Sequence, residues 1–547
     1  MNCRQNLAIG MCLSFAAMAI MACGGGSKVP VPLDATNAPT AAVTFEPESR
    51  TIVVGVTSEL IYEDPWLASP FTLSGYLNGI VNRPLYAIRD ERLIPMLAAD
   101  FPAVSTDGLT YAIPIRPNMT WQNGDALDAR DFELGLRRSC SREFGRHSAH
   151  VLVNVEGCTN AYEGSREVVE VGVRAVDSLT LQIRLIAAQP SFPSILALPL
   201  AYPAPDERLE STESAWPAIG EAPCSGPFCV AEWVEGSRVE LVRNDHWKLG
   251  GPNLRAIEFQ VYADVVSALA AFDAGNVHLV EIADPGAVAG RSDVILQLQS
   301  ATNGLAFRTG QPALQDTNVR LALSRAIDRT RLDGIAGTTT RVGTTNWVPM
   351  GVPGANAGGA FDIAIGFDPV AAQGALTAAG YPNGEGFPAV QFAIRDREQT
   401  VALAESLSDQ WERVLNIDIP VSVVSDEIWQ QAIATRGEFD LVLDGWVQDY
   451  PDAANWLLTP RYPSGEEPCR PANLDLLLDA VAPEYGNDDR WQTLQAIELA
   501  YVPNLCFMIP LYHTADLYLL SDRVTGAHAA TGAGPLPPFP ESWQLSD

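Results

Sequence analysis

Ser105-Thr-Asp-Gly-Leu-Thr-Tyr-Ala-Ile-Pro-Ile-Arg-Pro-Asn-Met-Thr-Trp-Gln-Asn-Gly-Asp-Ala-Leu-Asp-Ala-Arg-Asp131 is the stretch on which the reading of this chain turns. Thr106-Asp107-Gly108 is turn chemistry, after which Tyr111, Ile113 and Ile115 alternate with Ala112, Pro114 and Arg116 in the period of a strand. Trp121-Gln-Asn-Gly-Asp125 makes a second turn, and Asp128 is placed to cap a helix carrying Phe132, Leu134 and Leu136. Working back, Leu85 to Ile94 reads as a hairpin turning at Asp90-Glu91, about Leu73 to Val81 as a helix, and Thr51 to Val56 as a first strand.

At 547 residues the chain exceeds one ordinary core, and two or three domains are expected. Its 66 acidic residues outnumber the 35 basic ones, giving a formal charge of -31. Nucleic acid and a bare anionic membrane would both repel such a chain, so neither is an expected partner.

Arg4 precedes an apolar run from Leu7 to Ala22, shorter than the ~20 residues a membrane helix needs. Ile20-Met21-Ala22-Cys23 closes it in a way that resembles a bacterial lipobox. That resemblance implies a signal peptide over 1–22 and Cys23 as the lipid-bearing first residue of the mature protein. Gly24-Gly25-Gly26 and the polar, Pro/Thr-rich stretch that follows cannot build a core, so 23–47 reads as a flexible tether. Beyond Cys23 the mature chain keeps Cys140, Cys158, Cys224, Cys229, Cys469 and Cys506. An even number in an exported chain favours disulfides, with sequence neighbours as the guessed pairs, although six cysteines allow ~15 pairings. A metal site is the rival reading, weakened because no Cys-x-x-Cys pair occurs.

Downstream, Asp264 can cap a helix that Gly275 closes before a strand over Val277 to Ile282. Val319, Leu323, Ala326 and Ile327 share one helix face, and Asp368-Pro369 opens a helix that Gly380 closes. Leu403, Leu407, Trp411 and Leu415 stripe the next helix for core packing, and Ile417 to Val423 alternates as a strand. Val502 to Leu511 and Leu517 to Leu519 read as buried strands. The alternation of strands and helices from Gly310 to about Thr514 indicates an α/β domain with its own sheet.

Phe439-Asp-Leu-Val-Leu-Asp-Gly-Trp-Val-Gln-Asp-Tyr-Pro-Asp452 carries the chemistry. Leu441 to Leu443 is a strand that Gly445 ends, and Trp446, Asp449, Tyr450 and Asp452 follow at once. A carboxylate beside Trp and Tyr suits a cationic group, since it supplies charge while the rings exclude water and offer their π faces. A surface loop with an Asp-Pro type turn is the competing reading.

Arg83-Pro84-Leu85, Pro95-Met96-Leu97-Ala98, Ser105 to Tyr111, Ile115-Arg116, Trp121 to Asp125 and Ala129-Arg-Asp131 together resemble the extracytoplasmic solute-binding proteins, family 5, of peptide importers. Ser225-Gly226-Pro227-Phe228, Arg243-Asn244-Asp245-His246-Trp247 and Asn318 to Arg329 extend the likeness, with Asp245 and Trp247 standing where the family has Pro and Tyr. The resemblance implies a periplasmic-binding-protein-like α/β fold (class C, type II): two lobes, a hinge and an inserted domain. Expected boundaries are lobe I over 48–84, 206–308 and 515–547, the inserted domain over 85–205 and lobe II over 309–514.

By the same resemblance, Asp449 receives the α-amino group of a bound peptide, with Trp446 and Tyr450 beside it. Arg436 stands where several members carry a basic residue, so it meets either the ligand's carboxylate or the surface; Leu443 replaces an arginine that some members use. The function implied is a monomeric, lipid-anchored receptor, in the periplasm or at the cell surface, handing short peptides to an ATP-binding-cassette (ABC) permease and needing no cofactor. A metal-chelate, haem or other small-solute receptor of the same family is the alternative, with a secreted peptidase behind it. His147 and His150 form a His-x-x-His pair that could ligate metal, but without a carboxylate at helical spacing they read as exposed histidines. No hydrolase or phosphate-binding motif is present, so no catalytic residue and no metal ligand is assigned.

Overall fold

The computed structural model describes residues 50–68, 72–205, 216–217, 221–307, 311–332, 340–434, 439–457, 481, 488–506, 508–530, 532 and 536–546. The expected signal segment and tether, Cys23, Arg436 and Cys469 lie outside these residues. Among the described residues the backbone is organised by one mixed sheet of eleven strands. Across it from one edge stand Val421–Val424, Phe392–Arg395, Leu441–Val447, Val294–Phe307, Met508–Leu520, Leu279–Ile282, Thr51–Val56, Ala256–Val261, Arg238–Arg243 and Phe228–Val234. The remaining strand, Thr340–Gly343, pairs with Met508–Leu520 off this path. Ile52, Val54 and Val56 are fully buried, as expected of a strand with parallel partners on both sides.

Val294–Phe307 and Met508–Leu520 are the longest strands described and pair antiparallel over most of their length. At one end Tyr518 enters a core with Ile52, Leu77, Phe228, Ile257 and Trp543. At the other, Leu305 to Phe307 and Met508 to Leu511 belong to a core with Leu323, Trp347, Phe392, Trp411 and Trp456. The two strands therefore connect two cores, and their register shifts midway, between Leu298 and Thr302 and again at Asn303/Gly304. A third core, from Leu85 to Ala201, carries its own four-stranded sheet, Ala103–Val104, Thr110–Pro114, Thr180–Arg184 and Val173–Asp177 in spatial order. Its helix Ala129–Arg138 starts with a capping box between Asp128 and Asp131.

Several expectations need correction. The α/β region from Gly310 onward does not own a separate sheet, because the two long strands carry one ladder through both cores. Val421–Val424 alone forms the strand expected from Ile417, since Ile417 and Ile419 are buried as loop residues and Val423 is exposed. Val502–Asn504 is a 3₁₀ turn continuing the helix Asp488–Tyr501, with Pro503 inside it, and the strand begins only at Met508. Val502 is buried from the 3₁₀ turn and Leu505 and Cys506 from the chain reversal that ends it, which a short apolar run cannot distinguish from a strand.

Disulfides join Cys140 to Cys158 and Cys224 to Cys229. Cys506 is also disulfide-bonded; Cys469, its guessed partner, lies outside the described residues.

Candidate functional site

Gly445 does not end its strand. Leu441–Val447 continues through it, pairing Gly445 with Asn303 and Val447 with Ala301 of the long strand. A Cβ at Gly445 would lie 2.7 Å from Asn303 Oδ1 and 3.1 Å from the Thr302 carbonyl oxygen, so the residue permits close approach between strands. The ladder thus carries Trp446 to the very root of the loop. Gln448 N–H then donates to the Ser300 carbonyl at 3.0 Å, fixing where the chain leaves the sheet.

The helix Ala453–Leu457 sets the loop's other end, and Asn455 in its first turn organises the cluster. Asn455 Oδ1 accepts from Trp446 Nε1 and from the Asp449 backbone N–H, each at 3.0 Å, while its Nδ2 donates to Asp449 Oδ2 at 3.0 Å. One side chain therefore holds both the indole and the carboxylate. Asp449 Oδ1 faces His150 Nε2 at 3.4 Å, and the Asp449 side chain is 29% exposed.

Asp452 has a different task. It is fully buried, accepts from Arg490 Nη2 at 2.9 Å and from the Ala454 N–H at 2.8 Å on Oδ1, and receives Ser194 Oγ at 3.1 Å on Oδ2. It ties the loop to the helix Asp488–Tyr501 behind it and to the Phe192–Ile195 helix opposite. Tyr450 packs against the Leu85–Ala201 core, and Ser191 Oγ donates to its hydroxyl at 3.4 Å. Burial pushes the Tyr450 phenol up to about 12, so it remains a neutral wall of the site. Trp446 packs instead against the core of the opposite region, so the two rings flanking Asp449 belong to different bodies of the molecule.

A cavity opens beside this loop, and a second adjoins it. One of about 210 Å³ is lined by Arg83, Ile88, Tyr202, Gln448, Pro451 and Phe539 among others. The second, about 440 Å³, is lined by Ile88, Arg89, Asp90, Gly351, His528 and Phe539 among others. They share Ile88 and Phe539, so together they form a groove running from the Gln448–Pro451 turn to the Asp90-Glu91 hairpin. Asp449 lines neither; it stands beside the groove on the residue next to Gln448. Over the shared Phe539 ring lie the guanidinium of Arg89 at 4.3 Å and that of Arg83 at 5.7 Å. Arg83 is also paired with Glu541 at 2.6 Å.

Of the residues expected at a site, Asp449, Trp446 and Tyr450 come together and Arg436 lies outside the described residues. His147 has its side chain outside them too, while His150 turns to Asp449. Among the described residues no group of three or more His, Cys, Asp or Glu could hold a metal ion. Sequence reasoning missed Asn455 and Arg490, and it read His150 as an exposed histidine without its contact to Asp449. Asn455 left a trace only as an amide in the first turn after the acidic loop.

The family model "Bacterial extracellular solute-binding proteins, family 5 Middle" matches residues 92–467. Among curated relatives, the dipeptide-binding protein DppE of Bacillus subtilis is 22% identical over 471 residues, covering 82% of this chain and 84% of its own. The probable deoxycholate-binding periplasmic protein YgiS of Escherichia coli is 24% identical over 436 residues, covering 77% and 80%. Among solved structures, the unliganded open form of the murein tripeptide-binding protein MppA superposes with a TM-score of 0.79 at 20% identity, over 91% of this chain and 98% of that one. Listeria monocytogenes OppA bound to peptide gives 0.57 at 20% identity, over 91% and 99%.

Proposed function

The chain belongs to the bacterial extracellular solute-binding proteins of family 5, and from that premise we propose that it captures short peptides in the groove beside Asp449 and delivers them to an ABC permease. The observation that carries this reading is the Asn455 clamp, which holds one carboxylate and one indole together in the loop whose Gln448 and Pro451 line the smaller cavity. A peptide's ammonium arriving there meets a fixed negative charge, while the neutral Tyr450 and Trp446 rings limit its exposure to water. Capture favours the conformation in which both walls touch the ligand, and the two long strands joining the cores are the natural hinge. We assign lobe I to 48–84, 206–308 and 515–547, the inserted domain to 85–205 and lobe II to 309–514. Several relatives named for dipeptides or oligopeptides support the choice of ligand class.

Cys23 is proposed to carry the lipid anchor. Cys23→Ser should then release the protein from the membrane fraction, and a variant that stays membrane-bound excludes the anchor. Mass spectrometry of ligand carried through purification, followed by calorimetry with what is found, tests the receptor itself. Stoichiometric binding without turnover is expected, and cleavage of the bound peptide would make the protein a hydrolase.

A second reading has one observation in its favour. Arg89 beside Phe539 in the larger cavity pairs a cation with an apolar ring, a combination suited to an amphiphilic carboxylate such as the deoxycholate for which YgiS is named. Recovery of such an anion in place of peptide would select it.

A further inference from the structure

We propose that His150 competes with the ammonium group of an incoming ligand for Asp449, so that protonating this imidazole weakens capture. The inference rests on the reading of Asp449 as the ammonium partner. His150 follows a short 3₁₀ turn, Gly145–His147, in the Leu85–Ala201 body, whereas Asp449 roots in the ladder of the opposite one. The fold nevertheless brings Nε2 of one to 3.4 Å from Oδ1 of the other. Asn455 donates to the second oxygen, Oδ2, so clamp and imidazole meet different oxygens of the one carboxylate.

The two side chains differ in exposure in a way that permits exchange. His150 is 59% exposed and Asp449 29%, so the ring can swing into water while the carboxylate stays fixed. When neutral, the imidazole gives up a weak contact on leaving. When protonated, it gives up an ion pair that the ligand must replace, and the ligand's own charge gains correspondingly less. Because the pair is partly solvated, the penalty is small, of the order of two- to fivefold in affinity.

Imidazole is the side chain whose ordinary titration falls in the physiological range. Among the described side chains, the facing segments also carry Arg146 on the histidine's side and Tyr450 and Asp452 on the carboxylate's side; His147, next to Arg146, has its side chain outside them. Tyr450 stays neutral because burial raises its phenol, and Asp452 is held by Arg490. Elsewhere, burial raises Glu281 to about 7 and Asp516 to about 6, so these two carboxyls change charge in the same window. His528 lines the larger cavity, and Glu281 and Asp516 lie on the strands joining the cores.

The test is depletion of an equimolar tripeptide mixture by wild type, His150→Gln, His528→Gln and Asp449→Asn, read by mass spectrometry at about pH 8 and about pH 5.5. Wild type and His528→Gln should lose about two- to fivefold more affinity between these pH values than His150→Gln does. An equal pH dependence in His150→Gln and wild type overturns the competition while leaving the Asp449 reading intact. Full affinity in Asp449→Asn, or no uptake by wild type at either pH, overturns both. His150 is largely exposed, so its substitution does not threaten folding.

Discussion

Asp449 and Asp452 are three residues apart and chemically identical, yet the structure gives them opposite tasks. Asp452 is sealed between Arg490, Ser194 and the start of a helix, where its charge is used up in holding the loop. Asp449 is held from one side by Asn455 and brings its other oxygen to His150 at 3.4 Å. The cluster of acids and aromatics was visible in the sequence, but this division was not, because it is decided by Arg490, 38 residues away, and by Ser194, 258 residues away. Removing one partner of a buried ion pair strands the other, so Arg490→Met should cost about 3–5 kcal/mol in a denaturant titration. A loss below about 1 kcal/mol would mean the pair is dispensable. Asn455→Ala releases both Trp446 and Asp449, and calorimetry should show weakened peptide binding with little change in melting temperature. Unchanged affinity would remove Asn455 from the site.

Elements were legible where punctuation residues framed them. Asp128, Asp264 and Asp368 each cap the helix expected after them, and Gly275 and Gly380 adopt positive φ just past their helices. Gly445 misled for a physical reason: glycine also serves close strand approach, and the ladder to Asn303 that demands it involves residues about 140 positions upstream. The long strands carry a second feature that sequence patterning hides. Burial raises Glu281 to about 7 and Asp516 to about 6, while burial lowers His513 to about 4. For Glu281 the folded value lies above the ordinary carboxyl value of 4.5, so its contribution to stability falls as pH rises from roughly 4.5 to 7. His513 acts in the opposite direction, losing stability as pH falls from 6.5 toward 4. The difference in unfolding free energy between wild type and Glu281→Gln should therefore shrink with rising pH, by about 1 kcal/mol or more across that window. A pH-independent difference would place Glu281 in water. The Cys140–Cys158 bridge closes a short loop in the third core, and its reduction should lower stability by about 2–4 kcal/mol; an unmoved melting temperature on adding reductant would contradict that.

At the scale of the whole molecule, three bodies of packed side chains meet around one loop. A single eleven-stranded sheet links two of them, and the third contributes Ser191, Ser194 and His150 to the loop's far wall. The first strand, its following helix and the hairpin could be read locally, because each needs only its own periodicity and turn. The continuous sheet could not, since it depends on two strands more than 200 residues apart pairing along their length. That architecture is what lets a groove open beside a carboxylate set between bodies, and the formal charge of -31 biases the surroundings toward cationic ends of solutes. The account therefore stands on the contact between Asp449 and a ligand's ammonium. Calorimetric titration of wild type and Asp449→Asn with one bound tripeptide and its N-acetylated form measures that contact directly. The account predicts that Asp449→Asn and acetylation each weaken binding by about ten- to a hundredfold, and that combining them adds little further loss. Full affinity of Asp449→Asn for the free-amine peptide would contradict it.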